Sequence, residues 1–198
     1  MTKQQNYNHP LKGSKITVDP IRSLKDIQEI KELIADNPLY LAIFIIGINV
    51  GLRASDLLHL TFGQVRDLKP MDEITLREKK TGNHRRVTLN EACISVIGNL
   101  LSSRSYSHDD DILFAGQRGP LTVSTVSRLV KEWCRKCGIR GNYGSHSLRK
   151  TFGYHQRMTF GVGLPELMKV FGHSSERQTL TYIGIQEEAI KNIYANTL

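Results

Sequence analysis

Two pairs of cationic or proton-carrying residues precede one tyrosine near the end of this 198-residue chain. His146 and Arg149 stand three residues apart, and Tyr182 follows nine positions after His173. On a helix, a spacing of three places both side chains on the same face. The first turn of a helix also attracts anions. Each residue alone would be an ordinary surface or core residue, but together they suit the chemistry of a phosphate ester.

Short helices are expected to position these side chains. Ser145 is a suitable N-cap for a helix that carries the first histidine and arginine. Residues 164–171 predict a second helix with Pro165 in its first turn, and Gly172 follows as a glycine that ends it. His173 is therefore expected in a turn directly after a helix.

The pattern resembles the signature of the tyrosine recombinases, or phage integrases. That signature is His-x-x-Arg, then Gly-His-x-x, then a tyrosine nine residues after the second histidine. Upstream, Gly-Leu-Arg-Ala-Ser-Asp-Leu-Leu at 51–58 resembles the family's first arginine box, and Lys-Lys-Thr-Gly at 79–82 resembles its β-hairpin lysine segment. The resemblance covers nearly the whole chain after residue 20. Four separate motifs in this order are specific, whereas His-x-x-Arg alone would be weak.

The resemblance implies a catalytic set of six residues. They are Arg53, Lys80, His146, Arg149, His173 and Tyr182. By resemblance, Arg53 and Arg149 hold the nonbridging oxygens of a phosphate, which planar guanidinium groups fit well. His146 assists proton transfer, and His173 hydrogen-bonds the phosphate.

The remaining two residues of the set are implied to make and break bonds. Tyr182 is the nucleophile and leaves a 3′-phosphotyrosyl link, with Tyr154 and Tyr194 as the next tyrosines to consider. Lys80 is the general acid for the departing 5′ oxygen, with Lys79 as its alternative. No metal and no cofactor is implied, because arginines and a lysine neutralise the phosphate charge.

The implied function is that of a site-specific DNA recombinase or integrase. It would cleave and rejoin double-stranded DNA and self-associate on it, as a tetramer during recombination. Two alternatives stay open: a type IB topoisomerase that relaxes DNA by the same chemistry, and a DNA-binding regulator with an idle active site. A metal-dependent nuclease is disfavoured because the sequence has no evident acidic cluster.

Composition agrees with a DNA-binding protein. The chain carries 27 Lys and Arg against 19 Asp and Glu, a formal net charge of +8, so a polyanion is the expected partner. The apolar run Leu39–Leu52 is interrupted by Asn49 and falls short of the roughly 20 residues of a membrane span. It predicts a buried helix instead. Without a signal peptide at its start, the protein is expected in the cytoplasm, associated with the nucleoid.

The hydrophobic pattern predicts a mainly α fold with a small antiparallel β-hairpin, an α+β class that matches the tyrosine recombinase catalytic domain. Residues 1–20 are polar and are expected to form an arm or linker, and residues 21–198 the catalytic domain. The separate core-binding domain that usually precedes it in the family is not expected here. The chain would then be an excised catalytic domain or a naturally short recombinase.

Capping residues set the expected helix starts. Ser23, Asn90 and Thr122 each precede a helical pattern, Asp36-Asn37-Pro38 separates the first two helices, and Ser55 is expected to cap a short helix reaching Leu60. β-Prone segments at 73–77 and 85–89 flank the lysine pair and predict a hairpin with both lysines near its tip. A further extended piece is expected at 112–114, and a last helix at 187–197.

The helix expected from Thr122 through Cys137 carries Arg128, Lys131 and Arg135. With Lys79, these residues are the expected DNA contacts, although a solvated helix face is an equal alternative. The same helix contains Cys134 and Cys137 with a Cys-x-x-Cys spacing. Without a second pair of ligands it cannot complete a zinc site, so these cysteines are expected to be structural.

Overall fold

A computed structural model describes residues 17–80 and 82–185 of the protein. Its elements follow the chain as α1 (Leu24–Leu33), α2 (Pro38–Val50), α3 (Ala54–Leu57), α4 (Phe62–Val65), β1 (Glu73–Arg77), β2 (His84–Thr88), α5 (Glu91–Ser102), β3 (Ala115–Gly116), β4 (Gly119–Pro120), α6 (Val123–Lys136), α7 (Ser145–Met158), α8 (Leu164–Phe171) and α9 (Glu176–Ile183). Both hairpins are antiparallel. This architecture confirms the predicted α+β class.

Helix α2 lies at the centre of the core. All residues from Ala42 to Gly47 are buried, because α5 packs on one side of the helix and α7 on another. A helix that is apolar on every side requires such covering. The interpretation of the apolar run as a buried helix is thus confirmed. In the described part of the chain, no helix is long and apolar enough to cross a membrane.

Local capping chemistry explains where several helices begin. The side chains of Ser23, Asn37, Asn90 and Thr122 each accept a backbone N–H in the first turn of α1, α2, α5 and α6. The expectations for Ser55 and Ser145 are wrong. Helix α3 begins after Arg53 and ends at Leu57, and Gly144 precedes α7, so that Ser145 is its first residue.

The predicted hairpin is present with its lysines in the turn. Strands β1 and β2 pair in register from Glu73 with Thr88 to Arg77 with His84. The Glu78 N–H donates to Asn83 O at 2.9 Å, which continues the ladder beyond the strands. In the region of the extended piece predicted at 112–114, Ile112 forms an isolated β-bridge with Thr61. Directly after it, β3 and β4 form a second, very short hairpin that was not predicted.

Helix α7 joins two hydrophobic clusters. Leu148 belongs to the main core, where it packs closely against Gly47 of α2. The opposite side of α7 meets a small second cluster built from Leu167, Phe171 and Ile183 of α8 and α9. The last two helices are therefore held to the domain mainly through α7.

The described chain begins with a segment bound to the domain. Asn142, in the connection between α6 and α7, donates from its side-chain amide to Thr17 O at 2.9 Å, and Asp19 N–H donates to Asn142 O at 2.7 Å. The expected arm is thus attached at least from Thr17 onward. The helix expected at 187–197 lies outside the described residues.

All three cysteines are free. Burial raises the pKa of the Cys93 and Cys134 thiols to about 12, which keeps both protonated and unreactive. Cys137 caps the end of α6 and is partly buried. This environment agrees with the expected structural role.

Candidate active site

Arg53 leaves the core through a sharp turn. Helix α2 ends at Gly51, whose φ of 60° lies in the left-handed region that glycine adopts without strain. Two residues later Arg53 is the N-cap of α3, with its side chain directed to the β1–β2 turn. Its Nη1 lies 2.6 Å from Glu78 Oε2 and 4.0 Å from Asp56 Oδ2. The buried core thus fixes the start of this side chain, and two carboxylates fix its end.

The first turn of α7 presents His146 and Arg149. Arg149 is only 3% exposed, and its Nη2 donates to Phe171 O at 3.0 Å. Its Nε is buried and has no hydrogen-bond partner within the described residues. Burial lowers the pKa of this guanidinium to about 10, opposed by the nearby Tyr182. Arg149 is still charged at neutral pH and retains an unused donor.

Tyr182 of α9 lies against both the second histidine and the buried arginine. Its ring centroid is 5.1 Å from that of His173 and 5.8 Å from Arg149 Cζ. His173 follows the C-cap Gly172 as expected, and its Nδ1 is 3.1 Å from Thr179 Oγ1. The Thr179 contact fixes the orientation of the imidazole ring beside the tyrosine.

The electrostatics of the site keep both imidazoles neutral. Partial burial, aided by the charges of Arg149 and Arg53, lowers the pKa of His146 and of His173 below the usual value. Burial raises the pKa of the Tyr182 phenol, and the same two arginines oppose that rise. At neutral pH the site therefore contains a protonated phenol, neutral imidazoles able to accept a proton, and cations that favour the phenolate.

The turn after β1 brings Lys80 to the edge of this cluster. Lys80 is exposed, and its charge contributes to the lowered pKa of His146. Lys79 points elsewhere: its Nζ contacts His59 Nε2, and its backbone N–H donates to Asp56 Oδ1 at 3.1 Å. Of the two lysines, Lys80 is the one whose charge acts on a residue of the predicted set, His146.

Comparison with known proteins identifies the family. Residues 16–189 match the model of the "Phage integrase family". The probable integrase/recombinase YoeC of Bacillus subtilis (strain 168) is 36% identical over 182 residues, which are 89% of this chain and 95% of YoeC. The chain belongs to the phage integrase family. The predicted membership and the enzyme class, a tyrosine recombinase, are thereby confirmed.

Solved structures agree on the fold of this family member. The XerA recombinase is 24% identical with a TM-score of 0.72 over 94% of this chain and 66% of XerA. The XerH site-specific recombinase, in a post-cleavage complex with its palindromic difH substrate, is 21% identical with a TM-score of 0.73 over 96% of this chain and 56% of XerH. The integrase-family chain thus spans nearly all of YoeC but two thirds or less of these two recombinases.

The three basic residues expected on α6 lie outside the predicted catalytic set. Arg128 is 3.6 Å from Glu132 and lines a surface pocket with residues of α1. Lys131 and Arg135 line another pocket beside the 138–143 connection. All three are exposed. Their role in binding DNA stays a prediction, as do the catalytic roles of the six residues.

Sequence reasoning missed three residues that contact the predicted set, namely Asp56, Glu78 and Lys150. It also missed Arg85, which contacts Glu78. Asp56, Glu78 and Lys150 lay in or beside recognised motifs. Asp56 is three residues after Arg53, Glu78 directly precedes Lys79, and Lys150 follows Arg149, with its Nζ 5.5 Å from the Tyr182 ring centroid. Within the described residues no three His, Cys, Asp or Glu side chains are grouped as metal ligands.

Proposed function

We propose that this integrase-family protein cleaves and rejoins double-stranded DNA by attack of Tyr182 on a backbone phosphate. The Tyr182 oxygen would bond to phosphorus while the bond to the 5′ oxygen breaks, leaving a 3′-phosphotyrosyl link. The observation that carries the proposal is the position of the Tyr182 ring, in contact with both His173 and Arg149. A 5′ hydroxyl of another strand would reverse the step without ATP, because the phosphodiester energy is conserved.

The surrounding groups supply what the reaction requires. Arg53 and Arg149 would hold the nonbridging oxygens, and the unpartnered Nε of Arg149 offers a donor for one of them. His146 would accept the phenol proton, which its lowered pKa permits. His173 would hydrogen-bond the phosphate, and Lys80 would protonate the departing 5′ oxygen.

Site-specific recombination is the proposed use of this chemistry, since the named relatives are recombinases. Recombination exchanges strands between two duplexes, so we propose that protomers assemble on DNA as a tetramer. Lys79 and the basic residues of α6 are the proposed additional DNA contacts. With chromosomal DNA as substrate, the protein would act at the nucleoid.

The covalent intermediate provides the direct test. Nicked duplexes tiled across the DNA that flanks the gene are incubated with the protein in EDTA, and covalent complexes are separated in denaturing gels. We expect a complex with wild-type protein and none with Tyr182→Phe, because only the nucleophilic hydroxyl is lost. DNA affinity of the variant stays within about twofold of wild type, since the ring keeps its packing.

Tyr154→Phe is the matched control. Tyr154 lies on α7 with its ring beside Arg22 and His155. We expect this variant to form the complex as wild type does. A complex that persists in Tyr182→Phe would assign the nucleophile elsewhere, and a strict requirement for added magnesium would contradict the metal-free mechanism.

A further inference from the structure

A buried carboxylate contacts Arg53 from the far end of β1. Glu78 is buried and directly precedes the two lysines of the turn. Its Oε2 lies 2.6 Å from Arg53 Nη1, and its Oε1 lies 3.3 Å from Arg85 Nη1. The three side chains are largely shielded from water, at 11%, 20% and 14% exposure. Glu78 therefore bridges two guanidinium groups that would otherwise repel each other.

Arg85 anchors this bridge to the backbone beside Arg53. Its Nη2 donates to Gly51 O at 3.3 Å, at the turn where α2 ends. Arg85 belongs to β2, where its backbone is paired with Leu76 of β1. Gly51, Arg85, Glu78 and Arg53 are thus joined in one series of contacts, whose two ends lie only two residues apart in the sequence.

The turn that carries Lys80 has separate supports. The Gly82 N–H donates to Glu78 O at 2.8 Å, and Lys79 N–H donates to Asp56 Oδ1 at 3.1 Å. The first of these bonds uses the backbone of Glu78 and the second does not involve Glu78 at all. A change confined to the Glu78 side chain therefore leaves these two supports in place and acts on Arg53 and Arg85.

The direction of the Arg53 guanidinium depends on this contact. The contact is an ion pair, since Arg53 Nη1 lies 2.6 Å from Glu78 Oε2 but makes no hydrogen bond within the described residues. The carboxylate therefore attracts the guanidinium and limits the positions that its planar fork can take. The ion-paired group lies beside the site that would receive the phosphate, because Glu78 and Arg85 line one surface pocket with Gly172, the residue before His173. Together with burial, the charge of Arg53 also lowers the pKa of His146 and His173. Burying a carboxylate is costly unless it is paired, and here both oxygens are paired with arginines.

We propose that Glu78 is a positioning residue that holds the Arg53 guanidinium in the orientation needed to bind the scissile phosphate. The inference rests on the proposed function of Arg53. A positioning residue speeds the reaction by keeping the charge where the transition state needs it. The competing role, a carboxylate that occupies Arg53 and must be displaced by the phosphate, has the opposite consequence, because its removal would accelerate cleavage.

The experiment compares Glu78→Gln with Glu73→Gln in single-turnover cleavage of the duplex on which wild-type protein forms its covalent complex. Glu73 lies on the same strand, 52% exposed, and its carboxylate is 3.8 Å from Arg86. Both variants lose one negative charge, which raises the net charge of the protein by one, so neither should bind DNA more weakly. We expect Glu78→Gln to cleave about 10- to 100-fold more slowly, the range for a misplaced reacting group. Glu73→Gln should cleave at the wild-type rate.

A sulfur-substituted substrate separates Arg53 from Lys80. A 5′-bridging phosphorothiolate has a leaving group that needs no proton, so it should restore cleavage by Lys80→Ala. We expect no such rescue of Glu78→Gln, since its defect concerns the phosphate oxygens. Rescue to the same extent as Lys80→Ala would overturn the inference, and so would wild-type or faster cleavage of ordinary DNA by Glu78→Gln.

Thermal unfolding of each variant separates positioning from folding. If Glu78→Gln is unfolded, Glu78→Asp decides: it keeps the charge but shortens the side chain, and we expect normal unfolding with cleavage slower than wild type. Wild-type cleavage by Glu78→Asp would then overturn the inference. A wild-type protein that forms no Tyr182-dependent complex would overturn the proposed function, whereas normal cleavage by the Glu78 variants overturns the inference alone.

Discussion

At the scale of residues, the site combines permanent cations with neutral proton carriers. Partial burial and the charges of Arg149 and Arg53 keep His146 and His173 neutral. A neutral imidazole accepts a proton, and an imidazole near a bound phosphate becomes easier to protonate because the anion favours the charged form. The proposed transfer of the Tyr182 proton to an imidazole is therefore favoured once DNA supplies the charge of its phosphate.

The lowered pKa values of His146 and His173 make the stability of the folded protein depend on pH. The unfolded chain binds protons to these histidines at a higher pH than the folded protein does. Their contribution to stability is therefore full above the ordinary pKa near 6.5 and is lost as pH falls towards the lowered folded pKa. We expect urea denaturation to show a loss of stability between pH 7.5 and 5.5 that is smaller in His173→Asn.

Nuclear magnetic resonance provides the direct measurement of these pKa values. The imidazole signals, assigned with His146→Asn and His173→Asn, should titrate below 6.5 in the free protein. Addition of target DNA to Tyr182→Phe should raise both pKa values. A titration at or above 6.5 in the free protein would contradict the electrostatic description of the site.

At the scale of elements, α7 determines where Tyr182 lies. Its first turn carries His146 and Arg149, and its middle carries Gly153, against which the second cluster packs. A Cβ on Gly153 would lie 2.6 Å from Phe171 Cζ and from Ile183 Cγ2. The absence of a side chain on this residue allows α8 and α9 to approach α7 closely enough to bring Tyr182 to Arg149.

Gly153→Ala should therefore impair cleavage more than folding. Overpacking of this kind costs about 1–3 kcal/mol, and the small second cluster would take up the shift by moving α9. We expect a lower free energy of unfolding in urea and a loss of covalent complex greater than the unfolded fraction explains.

The matched control is Gly98→Ala on α5, where an added Cβ meets no atom within 4 Å. It should stabilise the protein by about 0.5–1 kcal/mol through helix propensity and leave cleavage unchanged. Equal effects of the two substitutions on cleavage would show that the contact between α7 and α9 does not position Tyr182.

At the scale of the whole molecule, the net charge of +8 predicts binding dominated by phosphate contacts. The logarithm of DNA affinity should fall linearly with the logarithm of salt concentration. The slope of this line should be about −0.9 for each phosphate neutralised. Fluorescence anisotropy with a labelled duplex measures this slope. Tight binding that does not respond to salt would contradict the prediction.

The same slope locates the DNA surface. Replacement of Arg128, Lys131 and Arg135 by Ala should reduce its magnitude by up to about 2.7 if the α6 face binds phosphates. The control replaces the basic residues of α1, Lys25 and Lys31, which were not predicted to bind DNA. Unchanged slopes in the α6 variant would assign its exposed basic residues to solvent.

Local features of the sequence were sufficient to predict most elements. Ser23, Asn90 and Thr122 could be predicted at helix starts because a cap bonds to backbone two or three residues away, within the reach of sequence reasoning. The uniform apolar character of α2 likewise required a central position. The wrong capping predictions at Ser55 and Ser145 concern helix starts, where competing local bonds differ little in energy.

The motifs by themselves determined the family and named six residues for the site, whose roles stay predictions. Only the tertiary structure decided how those residues are held. The contacts of Glu78 with Arg53 and of Asp56 with the Lys79 backbone join positions more than 20 residues apart, and the Arg149 bond to Phe171 O depends on how α8 packs against α7. Such contacts arise from packing between elements, which no local pattern specifies, and they determine where each charge lies.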